Sequence, residues 1–179
     1  MDIKNKINTV LLCDIAIHLG IDTDLDPEIV KYAITSGQDW ILDAKYSGTF
    51  SEGSEKAERD FVVELLYAYR GLSKSYRLLS LTEQAELKKK HRLNIIDDHI
   101  QLPGFDGNNE YAYEGIIEAF QKIDRFPEQK LPLNNTHSHT VHHYNALIEA
   151  CKKINALDRQ WELGAEEVSE ILSHAPLAL

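Results

Sequence analysis

One stretch constrains this chain more than any other. Ala57, Phe61, Val62, Leu65, Leu66, Tyr69, Leu72, Tyr76 and Leu79 recur at three- and four-residue intervals over residues 54–80. That spacing puts them on one face of a single long helix, and a face so sustained needs other helices packed around it. The spacing therefore predicts an all-α chain, a compact multi-helix domain built around this central helix.

The flanking segments fit that frame. Ile7, Val10, Leu11, Ile15 and Leu19 repeat at helical spacing and Gly20 closes the element. Asp26-Pro27-Glu28 supplies an N-cap, a first-turn proline and an acid that suits the helix dipole, opening a helix that stops at Ser36-Gly37. A short amphipathic piece over 38–46 centres on Trp40 and Ile41, and a loop is expected at Ser47-Gly48 and Ser51-Glu52-Gly53. Thr82 is the expected cap of a helix ending in Lys88-Lys89-Lys90-His91-Arg92, cations that suit a C-terminus. The helical period lapses over 93–105, where residues 99–102 alternate as one short β segment before Pro103-Gly104. Helices then resume over 110–125, 138–155 and 165–174, with a tail at 176–179. With no repeat or linker, residues 1–179 read as one domain.

Charge removes several classes of function. Lys and Arg total 19 against 29 Asp and Glu, a formal charge of -10. Such a surface repels phosphate backbones and anionic membranes, so nucleic acid and membrane are not expected partners. Cys13 and Cys151 each sit in an apolar helical pattern and read as reduced core thiols. The first residues show no basic stretch followed by a cleavable apolar one, and no apolar run is long enough to span a bilayer. The expected location is the cytoplasm, and no cofactor is expected.

The segment Pro103-Gly104-Phe105-Asp106-Gly107-Asn108-Asn109-Glu110 resembles one typical of the YfbU family, bacterial proteins of unassigned role. Residues 27–42 and 67–79 are similar to that family's early and central helices. Leu133-Asn134-Asn135-Thr136-His137 with Tyr144, and Gly164-Ala165-Glu166-Glu167-Val168, resemble its late ones. The resemblance spans about residues 27–175 and implies an all-helical fold with no catalytic residues to carry over. His139, His142, His143 and the run at Lys88 depart from the family's pattern.

Several constellations carry possible chemistry. Asp106, Asn108, Asn109 and Glu110 offer hard oxygens, yet the segment is too short for a calcium loop of the EF type. Gly104 and Gly107 permit a tight turn and the neighbouring Asx side chains can cap the next helix, so the expected role is structural. Asp22, Asp24 and Asp26 imitate a calcium loop but place Pro27 where glycine is needed. His137, His139, His142 and His143 are the most suggestive group: on a helix that included His139, His139 and His143 would stand one turn apart, a zinc spacing. No nearby cysteine completes that set, so no metal is expected. Arg92 and His99 have the separation of the Arg and His of HEPN-type ribonucleases, in which His would move a proton and Arg stabilise phosphorane charge. The leading expectation is a non-enzymatic interaction or regulatory module of bacterial stress physiology, a homo-oligomer with a dimer favoured. Its motive is the wealth of tyrosines, Tyr67, Tyr69, Tyr76, Tyr111 and Tyr113, on its helices. The alternatives are the ribonuclease and metal binding at the histidines.

Overall fold

The computed structural model describes residues 2–46 and 56–176. Among them are eight helices and one two-stranded hairpin, so the all-α class stands. The chain divides into two compact units: residues 1–57 with 115–125, and residues 58–114 with 126–179. The loop expected at Ser47-Gly48 and Ser51-Glu52-Gly53 lies outside the described residues, as does the end of the tail.

The first unit holds α1 (Ile3–Leu19), α2 (Pro27–Ser36), α3 (Trp40–Lys45) and most of α6 (Tyr111–Lys122). Asp2 caps α1 by accepting from the Asn5 amide, and Gly20 ends it in the left-handed conformation at φ 61°. Asp26 caps α2 through the Glu28 and Ile29 amides, with Pro27 as its first residue. Helix α1 packs on α2, and Lys31 of α2 reaches Asp14 at 2.5 Å. Trp40 meets Phe120 edge to face at 4.6 Å, beside the buried Ile41, Ile116 and Ile117. Burial and Glu118 together raise the Tyr32 phenol to about 12.

In the second unit α4 (Lys56–Leu78) is the expected central helix, burying Val62, Leu65, Leu66, Tyr69, Leu72 and Tyr76. With it lie α5 (Leu81–His91), β1 (Ile95–Ile96), β2 (His99–Ile100), α7 (Val141–Lys153) and α8 (Ala165–Leu172). The Trp161 ring lies over Gly71 of α4 so closely that a Cβ there would stand 2.0 Å from it. Arg70 forks onto Glu128 at 2.6 and 3.0 Å while its guanidinium lies over Phe126. Two buried glutamines join the hairpin to the segment after α6. Gln129 accepts from the Leu102 amide and donates to the Ile100 carbonyl, while Gln101 donates to the Glu128 carbonyl and accepts from the Lys130 amide. Both cysteines are free and buried.

Two local expectations are corrected. Ser80, not Thr82, caps α5, and Glu83 completes the capping box by accepting from the Ser80 amide. The β segment is not single: Ile95 pairs with Ile100 and Ile96 with His99. Asp97 and Asp98 at φ 49° and 61° supply the two positive-φ residues of a tight hairpin turn, which aspartate tolerates better than most residues.

Candidate functional site

The Gly-Phe-Asp-Gly-Asn-Asn-Glu segment works inward. Phe105 is buried, stacked on Tyr113 and tilted against Tyr144. Asp106 accepts from the Asn108 amide and the Asn109 side-chain amide, which hold its carboxyl below the usual range. Gly107 donates to the Asn135 side chain, and the Thr136 amide donates to the Phe105 carbonyl. The stretches 103–110 and 133–137 are therefore bonded to each other.

Glu110 closes the arrangement. Its buried carboxylate accepts from the Thr140 amide at 2.9 Å, the Thr140 hydroxyl at 2.7 Å, the Val141 amide at 3.2 Å and the Asp106 amide at 3.1 Å. Thr140 precedes α7 and gives that helix no side-chain cap of its own. Glu110 supplies the cap from thirty residues upstream, a negative group at the positive end of the helix dipole. Burial pushes its carboxyl up, but the bonds from Thr140, Asp106 and Val141 outweigh that and hold it below the ordinary value. With its lone pairs committed to three backbone amides and the Thr140 hydroxyl, Glu110 is a fastener between loop and helix.

The histidines do not assemble. Helix α7 begins at Val141, so His139 lies before it and the one-turn spacing with His143 does not arise. His137 sits at φ 51°, exposed, and neither packs nor caps. His139 is exposed, its Nδ1 3.4 Å from Glu110. His142 and His143 lie ring to ring at 4.0 Å on the exposed side of α7. Among the described residues no three His, Cys, Asp or Glu side chains are placed to hold a metal.

Arg92 and His99 belong to different elements. Arg92 is the left-handed C-cap of α5, with φ 51°, and lines a small cavity of about 70 Å³ with Tyr69, Asn94, Gln101 and Asn134. His99 lies in β2, is not among the residues lining that cavity, and holds the Asp97 carbonyl at 2.7 Å. The cavity has room for a few water molecules but not for a nucleotide. Lys90 and His91, from the basic run, both meet Ser169 of α8.

The tyrosines divide. Tyr69 and Tyr76 belong to the core, whereas Tyr67 and Tyr111 are exposed. Tyr67 borders an open groove of about 610 Å³ between α4 and α7, floored by Ala68, Ile148, Cys151 and Trp161. Burial raises the Cys151 thiol to about 12, so it is inert there.

The apolar repeat of α1 marks a helix but not the side that it buries, and only Cys13 of that helix is buried. Ile3, Ile7, Leu11, Ile15 and Leu19 are 71, 53, 54, 51 and 65% exposed, with Leu12 beside them. At intervals of four these five residues form one continuous ridge. The signal in the sequence was that Cys13, Val10 and Ala16 supply a second apolar side, so the apolar residues of α1 do not mark one inward face.

Compared with family models, curated proteins and solved structures, the chain matches none.

Proposed function

We propose that this chain is a non-enzymatic protein-interaction module whose working surface is the outer ridge of α1. One observation carries the reading: five large aliphatic side chains stand in a row on the solvent side of a helix already packed through its other face. Exposed apolar patches of this size mark sites of protein contact, since water contact with them is costly. The polar constellations favour the same reading, because Asp106 and Glu110 are committed to loop and helix bonds. The resemblance of residues 103–110 to the YfbU family, which implies no catalytic residues, is compatible with a regulatory role in the bacterial cytoplasm.

Thiol labelling tests it. In a Leu11→Cys variant the new thiol stands on the ridge while both native thiols are buried. A maleimide should label it rapidly in dilute purified protein and at least about fivefold more slowly inside cells, where its partner covers it. Equal labelling rates in the two settings would overturn the proposal.

A further inference from the structure

We infer that the occupant of the α1 ridge is a second copy of this chain, lying antiparallel across a two-fold axis at Leu11. This rests on the reading of α1 as an interaction surface and names its partner. Area is the first argument. The exposed parts of the five ridge residues and Leu12 make an apolar strip on the order of 500 Å² per copy, so two copies bury roughly 1,000 Å², the lower bound for a specific interface.

Charge is the second. The chain carries -10 overall, so two copies repel over most of their surfaces. Helix α1 with its cap has Asp2, Lys4, Lys6 and Asp14 as its charged side chains, two of each sign. Two acidic molecules can approach at this neutral face without stacking like charge on like. A strongly basic partner would gain nothing by choosing it.

Symmetry is the third. A two-fold contact uses the same patch on both molecules, so the patch must complement itself when reversed. Reversal about Leu11 sets Ile7 against Ile15 and Ile3 against Leu19, apolar on apolar throughout. Asn8 falls opposite Asp14 and Lys4 opposite His18, so no two acids meet.

Sedimentation equilibrium and disulfide trapping decide it. Wild-type protein should show a monomer–dimer equilibrium with a Kd in the range of about 1–10 μM. Added salt should tighten it by screening the repulsion between acidic copies. Leu11→Asp should weaken association by about 100-fold or more, as expected at the centre of an interface. Leu157→Asp, at an exposed leucine of the other unit, should leave it unchanged. Under mild oxidation Leu11→Cys should form covalent dimers. Leu19→Cys should not, since reversal holds its two copies about 24 Å apart, but it should cross-link when mixed with Ile3→Cys. A wild-type monomer up to about 100 μM, a hundred times the tighter expected Kd, would overturn the inference, as would Leu19→Cys linking to itself as readily as Leu11→Cys. If the protein is monomeric while Leu11→Cys is still protected in cells, the dimer fails and the interaction module stands. Monomeric protein with no protection ends both.

Discussion

Replacing Gly104 by alanine should cost the second unit about 4 kcal/mol, counting the strained backbone and the steric clash together. Gly104 sits at φ 124°, where side chains with a Cβ rarely go, and an added Cβ would stand 1.9 Å from the Asn134 carbonyl oxygen. That obstacle is backbone and cannot rotate away. It is also held, because the next residues are tied by the Thr136 amide donating to Phe105. Relieving the clash would pull Gly104 off Tyr144, whose buried hydroxyl donates to its carbonyl at 2.8 Å and accepts from its amide. Denaturant unfolding should show an unfolding free energy lower by that amount, with a melting temperature lower by roughly 10 °C. A loss below about 1 kcal/mol, the ordinary size for a tolerated substitution, would mean the turn is looser than this geometry.

Glu110→Ala should cost about 3 kcal/mol, since it leaves the Thr140 amide and hydroxyl and the Val141 and Asp106 amides without their acceptor. Glu110→Gln keeps the shape but turns one acceptor into a donor facing donors, and should cost about 2 kcal/mol. The pH dependence follows from the lowered carboxyl. The folded pKa lies below the unfolded one, so the ion's contribution is complete above the unfolded value of about 4.3 and disappears as pH falls through the folded value. The stability gap between wild type and Glu110→Gln should thus be constant between about pH 6 and 8 and shrink below about pH 4.3. A gap that widened in acid would contradict the assignment of Glu110 as an ionised cap. Asp106 and Glu128, both held low by their partners, push wild-type stability down in the same acid range.

What was legible in the sequence follows from how local each signal is. The cap and proline of α2 and the stripe of α4 are written in adjacent residues, and both helices appear as expected. The cap of α5 was placed two residues late because the Thr82 and Ser80 hydroxyls are equally good acceptors for the first amides of a helix. Only Glu83, reaching back to the Ser80 amide, distinguishes them. The role of Glu110 depends on Thr140, thirty residues away, and no short-range pattern pairs a loop acid with a distant helix end. Alternation at 99–102 marked the second strand of the hairpin, but Ile95-Ile96 is too short to alternate, and the positive φ of Asp97 and Asp98 follows from the pairing. For α1 the periodicity was sound, but it fixes only that a helix forms. Which side meets the interior depends on what is left to pack there.

The central claim is that the α1 ridge serves association and adds nothing to the fold of the single chain. Thermal unfolding of an Ile7→Gln, Leu11→Gln, Ile15→Gln triple variant, at a concentration low enough to keep both proteins monomeric, tests that most directly. The three side chains are each about half exposed. The account predicts a melting temperature within about 2 °C of wild type, as for exposed substitutions generally. A drop of about 8 °C or more would place these residues in the monomer's own core and contradict it.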